Sequence, residues 1–251
     1  MRNIIITGAS GGLAQALVKG LREDRLFLFS RDKKKLEALY GHLEQVYFYQ
    51  VDIRDDQALE GFIDKIQAQY GQIDLLINNA GYGIFRDFDQ ISAEESRDIL
   101  EINTLATVHL CRIVGKQMKE NRSGQIINIV SMAGHMATSK SSLYSASKFA
   151  LIGYSNALRL ELAPFDVIVT TVNPGPIATD FFDQADPTGN YLDSVSAFVL
   201  SPDYVAQKII QSMGKKKREI NLPRSLRLAK LFYQLFPSIG DFLAIKVFNY
   251  K

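Results

Sequence analysis

Tyr144 and Lys148 stand four residues apart in the run Leu143-Tyr-Ser-Ala-Ser-Lys148. On a helix, positions i and i+4 share one face, so a phenol and an ammonium would lie side by side. A phenol ordinarily loses its proton near about pH 10, and a neighbouring cation favours the phenolate. The spacing therefore predicts a tyrosine whose pKa is pulled down far enough to pass a proton at neutral pH. Ser131 follows an apolar run and brings a second hydroxyl towards the same point. Two hydroxyl donors converging on one oxygen stabilise negative charge as it develops there, and the phenol can then supply the proton.

Several elements must position these groups. Apolar, β-branched runs at Asn3–Thr7, Leu26–Phe29, Val46–Val51, Leu75–Ile77, Gln125–Val130, Val167–Val172 and Glu219–Leu222 read as strands. Helical patterns lie between them: from Leu13, over Asp32–Leu43 and Asp55–Tyr70, from Ser92 towards Lys119, over Ser142–Leu162 and over Pro202–Met213. Ser92 with Glu95 is a capping-box signature opening one long helix. Residues 178–200 carry weak periodicity and read as a mobile loop segment. Strands this apolar, alternating with helices, call for a parallel sheet covered on both faces, hence an α/β, doubly wound fold. With no repeat or linker, residues 1–251 read as one domain, with a core over 3–222 and a helical basic tail over 223–251.

The turn Thr7-Gly8-Ala9-Ser10-Gly11-Gly12-Leu13 falls between the first strand and its helix. There the backbone N–H groups and the helix dipole can receive a pyrophosphate, and glycine permits its close approach. An acidic residue at the end of the second strand would favour a free adenosine ribose. Here the chain reads Phe29-Ser30-Arg31, with Lys33, Lys34 and Lys35 behind. A hydroxyl and a guanidinium suit a 2′-phosphate, so NADP is preferred to NAD.

With the glycine turn, Asn78-Asn-Ala-Gly81, Ser131, Tyr144-x-x-x-Lys148 and Asn173-Pro-Gly175 in this order, the chain resembles the short-chain dehydrogenase/reductase family. The resemblance implies a single Rossmann-like domain with a seven-stranded parallel sheet, assembly into homodimers or homotetramers, and hydride transfer between a nicotinamide and a carbonyl or alcohol. By that likeness Tyr144 is the general acid/base, Lys148 lowers its pKa and holds the nicotinamide ribose, and Ser131 hydrogen-bonds the substrate oxygen. Asn103 would hold a water in the proton relay to the lysine. Asp52 and Ile53 would line the adenine pocket, Asn79, Ala80 and Gly81 would lie beside the adenosine ribose, and Pro174, Gly175, Ile177 and Thr179 would hold the nicotinamide. One departure is plain: the family's third glycine of the first turn is Ala14 here, which would crowd or slightly displace the cofactor.

Composition narrows the partners. The formal net charge is +2, which argues against nucleic acid as a partner. One cysteine, Cys111, excludes an internal disulfide and suits a reducing, cytoplasmic compartment. The three histidines are far apart in sequence, and no metal site is expected. No apolar stretch is long enough to span a bilayer, and the N-terminus enters a strand at once, which leaves no room for a signal peptide. Substrate choice should fall to Ala133, His135, Ser141, the turn after Gly81 and the segment Phe181–Phe198. That segment holds Phe181, Phe182, Tyr191 and Phe198 and no arginine, which favours an apolar carbonyl or alcohol. His135 itself reads as an ordinary loop histidine rather than a catalyst.

Residues 215–251 carry nine Lys/Arg against two Asp/Glu. Within them Leu228, Leu231, Phe232, Leu235 and Phe236 fall on one helical face, with Arg227, Lys230 and Gln234 opposite. Ile239, Phe242, Leu243 and Val247 suggest a second short helix. Such a tail can lie peripherally on an anionic membrane, close over the protein's own cleft or contact another subunit. The leading reading is an NADP(H)-dependent oxidoreductase of an apolar carbonyl or secondary alcohol. Two others remain: an NAD-dependent dehydrogenase of a small hydroxy acid, against which Ser30 and Arg31 count, and a non-catalytic NADP-binding regulator, against which Ser131, Asn103, Tyr144 and Lys148 count.

Overall fold

The computed structural model describes residues 1–186 and 196–247. Among these, strands β1 (Asn3–Thr7), β2 (Arg25–Ser30), β3 (Val46–Gln50), β4 (Leu75–Asn78), β5 (Gly124–Ile129), β6 (Val167–Pro174) and β7 (Glu219–Leu222) form one sheet in the order β3-β2-β1-β4-β5-β6-β7. Every pairing is parallel. The helices are α1 (Gly12–Gly20), α2 (Lys33–Tyr40), α3 (Asp56–Tyr70), α4 (Ala93–Leu100), α5 (Ala106–Asn121), α6 (Ser142–Leu162), α7 (Phe181–Ala185), α8 (Pro202–Ile210), α9 (Ser225–Leu235) and α10 (Pro237–Val247). This is the doubly wound arrangement that the strand pattern predicts, and the chain order reverses direction across the sheet between β1 and β4.

Alternation along the strands divides the core in two. Ile4 and Ile6 of β1, with Leu26 and Leu28 of β2, pack against Leu17, Leu36 and Ile209 of α1, α2 and α8. Ile5, Phe27 and Phe29 point to the other face and meet Leu59, Ile63 and Leu110 of α3 and α5, with Leu158 of α6. The Ala14 methyl is fully buried in the first of these clusters. The departure from the family's glycine is thus absorbed in helix-to-sheet packing, and Ala14 does not border the cleft described below.

The expected single helix from Ser92 to Lys119 is interrupted. The Ser92–Glu95 capping box forms, but Glu101–Leu105 is a π turn between α4 and α5. Its Asn103 is fully buried and hydrogen-bonds away from the helix, which compensates for the irregular backbone. Residues 178–186 include the short helix α7, and Tyr191 lies outside the described residues, as do the side chains of Leu243 and Val247.

A polar seam fastens α6 to the sheet. Asn78 Nδ2 on β4 donates to Asn128 Oδ1 on β5 at 2.8 Å, and Asn128 Nδ2 donates to Ser155 Oγ on α6 at 2.9 Å. All three side chains are buried, so an unpaired partner has no water to turn to. Asn128→Ala should therefore destabilise the fold by about 1–3 kcal/mol for each group left unpaired, read from the urea unfolding midpoint. Unchanged stability would mean that the seam does not anchor α6.

Candidate active site

Val130 and Ser131 follow β5 and turn into a short 3-10 helix at Met132–Gly134. Ser131 Oγ accepts the Ala133 N–H at 3.0 Å, which leaves its own proton free to donate. One turn apart on α6, Tyr144 and Lys148 are both buried, at 8% and 5% exposure. The Tyr144 ring lies between Phe85, edge-on at 5.6 Å, and Phe181, tilted at 5.8 Å. Lys148 Nζ sits 5.7 Å from the Tyr144 ring centroid and donates to the Ile129 carbonyl at 3.3 Å.

The spacing predicted proximity correctly, but the expected direction of the Tyr144 shift is reversed. Burial between the aromatic rings pushes the phenol up to about 12, against the pull of the Ser131 hydroxyl, whose hydrogen bond favours the phenolate. Burial likewise pushes the Lys148 ammonium down to about 8. Desolvation is the main cause of both shifts. At neutral pH the site therefore holds a protonated phenol beside a mostly charged lysine.

Asn103 does not border the cleft. Its Nδ2 donates to the Tyr82 carbonyl at 2.9 Å and to Ser147 Oγ at 3.0 Å, and its Oδ1 accepts the Tyr82 N–H at 2.9 Å. Ser147 Oγ in turn donates to the Tyr144 carbonyl. The side chain of Asn103, the residue expected to hold a relay water, ties the turn after Gly81 to α6. Gly81 makes room for this packing, since a Cβ there would stand 3.0 Å from Asn103 Oδ1 and 3.4 Å from Lys148 Nζ.

A cleft of about 1050 Å³ runs from these residues to the glycine turn. Gly8, Ser10, Gly11, Gly12 and Leu13 line it, as do Asn79, Ala80 and Gly81 and, opposite, Pro174, Gly175, Ile177 and Thr179. Gly8 has φ +60°, and a Cβ there would lie 2.8 Å from the Ala80 Cα, so the close crossing of the two turns requires glycine. Thr7, expected to touch the cofactor, does not line the cleft. Its Oγ1 accepts the N–H groups of both Asn79 and Ala80 at 3.0 Å, while Asn79 Nδ2 donates to the Thr7 and Gly8 carbonyls. Thr7 thus braces the two turns from behind.

At the far end Ser30, Arg31, Asp52 and Ile53 border the cleft, joined by Lys35. Ser30 Oγ donates to Ser10 Oγ and accepts the Asp32 N–H. The Asp52 carboxylate is gripped by Arg54 at 3.0 and 2.6 Å, which holds it below the usual carboxylate range. Arg54 extends this grip to Asp98 on α4 at 2.5 Å. The sequence carried a signal for that clamp in the Asp-x-Arg spacing, but none for the partner on α4.

The other end is apolar. Phe85, Phe181, Phe182, Phe198 and Met136 line it, together with Ala133 and Ser141 as expected. His135 does not. It is buried, 3.9 Å from Glu219, and burial with the nearby Lys230 pushes it down to about 4, so it stays neutral. The tail borders this end through Leu226, Ala229, Phe232 and Tyr233 of α9, one of the placements its amphipathic pattern allows; of these only Phe232 belongs to the apolar face that periodicity picks out. Arg86 also borders it, neutralised by Glu95.

A doubly wound parallel sheet whose glycine-turn cleft leads to Ser131 and the buried Tyr144 and Lys148 defines a dinucleotide-dependent class of α/β oxidoreductase. The chain belongs to the short-chain dehydrogenase/reductase family: residues 2–189 match the model described as short chain dehydrogenase. It is 34% identical over 229 residues to the 3-ketodihydrosphingosine reductase of Bacteroides thetaiotaomicron, covering 90% of this chain and 81% of that one. A probable short-chain type dehydrogenase/reductase of Helicobacter pylori is 32% identical, with 93% of each chain covered. Among solved structures, the short-chain dehydrogenase of Sphingobium yanoikuyae in complex with NADPH superposes with a TM-score of 0.81 at 26% identity, covering 96% of each chain.

The role of Thr7 can be separated from direct cofactor contact. Thr7→Val should leave two backbone donors without an acceptor and lower stability by about 1–3 kcal/mol, measured by urea unfolding without any nucleotide. A loss of nucleotide affinity with stability intact would instead place Thr7 in the binding surface.

Proposed function

We propose that the protein reduces the carbonyl group of an apolar substrate with NADPH, or runs the reverse oxidation of the secondary alcohol. The observation that carries this reading is the placement of Ser131, Tyr144 and Lys148 together at the junction of a polar nucleotide cleft and an aromatic pocket. The residues fit the cofactor. Gly8 and Gly12, which line the cleft, let the first turn lie directly against Ala80 and Thr179, where a Cβ would collide, and Ser10, Ser30, Arg31 and Lys35 gather hydroxyls and cations where a 2′-phosphate would lie. The relative solved with NADPH supports the same choice. The nicotinamide, when bound, supplies or accepts the hydride.

The chain's own residues do the rest. Ser131 Oγ–H and Tyr144 Oη–H donate to the carbonyl oxygen and favour the negative charge that gathers on it during reduction. Tyr144 then gives up its proton to that oxygen. Lys148, charged below its pKa, opposes the cost of the phenolate left behind and is placed to hold the nicotinamide ribose. Asn103 keeps Tyr82 and Ser147 in register with both groups. Phe85, Phe181 and Phe182 exclude water and accept an apolar chain. The relative from Bacteroides thetaiotaomicron, a ketone reductase by name, supports this substrate class. We place the reaction in a reducing cytoplasmic setting, in keeping with the buried Cys111 thiol, and read the exposed Leu105, Phe149 and Leu160 as surface for a homodimer or homotetramer.

Tyr144→Phe should lower turnover of ketones by about a hundred- to ten-thousand-fold while NADPH still binds, followed by NADPH absorbance and by fluorescence titration. Unchanged turnover would remove Tyr144 from the mechanism. Since Lys148 loses its proton near 8, carbonyl reduction should fall as pH rises through that value, and a flat profile there would contradict the role given to the ammonium. Arg31→Ala should weaken NADPH binding by roughly tenfold more than NADH binding, as loss of a charge-assisted contact requires. Equal losses would remove the 2′-phosphate assignment.

A further inference from the structure

The helical tail turns its apolar face outward. On α9, Leu226, Ala229, Lys230 and Tyr233 face the body of the protein, and Lys230 Nζ reaches the Glu219 carboxylate on β7 at 2.8 Å. This ion pair is half sheltered from water and fixes the roll of the helix. Lys230 was expected on the solvent side, and its inward turn leaves Leu228, Leu231 and Leu235 in solvent, with Leu228 at 71% and Leu235 at 63% exposure. Ile239, Phe242 and Ile245 of α10 are exposed as well. Arg224 and Arg227, both exposed, stand at the start of the same helix.

We propose that this face of α9 and α10 docks peripherally on the surface of an anionic phospholipid bilayer. Apart from the inward-turned Lys230, residues 223–251 carry four Lys/Arg and one acidic residue, Asp241, which accepts a hydrogen bond from the Tyr233 hydroxyl. A helical face of leucine and phenylalanine flanked by arginines matches an acyl boundary beneath negative headgroups. The contact stays at the surface, because among the described residues no helix is long and apolar enough to cross a membrane. Phe232 belongs both to the exposed face and to the rim of the cleft. A docked bilayer would therefore stand against the mouth of the aromatic pocket. The docking itself does not depend on which reaction the site performs.

The test is co-sedimentation of the full chain with vesicles of phosphatidylglycerol and phosphatidylcholine in equal parts, beside vesicles of phosphatidylcholine alone. The chain should pellet with the mixed vesicles at low salt and far less with the neutral ones. Leu231→Glu with Leu235→Glu should weaken that binding by at least roughly tenfold. Arg224→Glu with Arg227→Glu should weaken it by roughly fivefold or more and blunt its salt dependence. None of these residues lines the cleft, so all variants should keep the wild-type melting temperature and the wild-type rate on a water-soluble ketone. If no ketone is turned over, vesicle binding remains readable and the two readings fail separately. The proposal is overturned if the wild type stays in the supernatant with both vesicles, or if the leucine variant pellets like the wild type. It is also overturned if the leucine variant shifts from dimer to monomer while wild-type binding ignores lipid charge, which would make a second copy the occupant.

Discussion

Burying a phenol and an ammonium on adjacent turns of one helix is the constraint around which the site is built. Withdrawal from water disfavours the charged form of each, which raises the tyrosine and lowers the lysine. The protein tolerates this because neither group lacks a partner. Lys148 Nζ reaches the Ile129 carbonyl at the end of β5, and Ser131 approaches the Tyr144 phenol from the turn that follows. Position matters more than charge here, so α6 is fastened from beneath by Asn128 and from the side by Asn103 and Thr104.

Seen from that pair, the cleft divides into two chemistries. Towards β1 and β2 it is made of backbone, hydroxyls and cations, with Thr7 and Gly8 holding two turns close enough to form a floor. Towards α7 and α9 it is aromatic, and the same rings that dehydrate Tyr144 form the walls of the pocket. One set of phenylalanines thus sets both the protonation state of the acid and the character of what can approach it. The Arg54 clamp joins the polar end to α4 through Asp98, and Tyr82 donates to the same carboxylate.

Strand positions were legible because apolar runs broken by Gly, Asn and Pro leave few alternatives, while the order of the strands in the sheet, set by contacts between distant segments, was not. Ser131, Tyr144 and Lys148 were legible from type and spacing. The sign of the Tyr144 shift was not, because spacing reports that a cation is near and says nothing of the rings that exclude water. Thr7 and Asn103 were placed in the right neighbourhood, yet their hydrogen bonds run to backbone more than seventy and about twenty residues away, which no local pattern encodes. On the tail, periodicity identified a shared apolar face but not its direction. A single ion pair between Lys230 and Glu219 decided that.

Carbon-13 NMR of the tyrosine ring carbons, with Tyr144→Phe for assignment, reads the state of this pair directly. The structure predicts that, without nucleotide, the Tyr144 resonance keeps its phenol position well into the alkaline range, in line with a pKa near 12. A Tyr144 resonance that titrates near neutral pH would show that attraction to Lys148 overrides burial, and would contradict this account of the site.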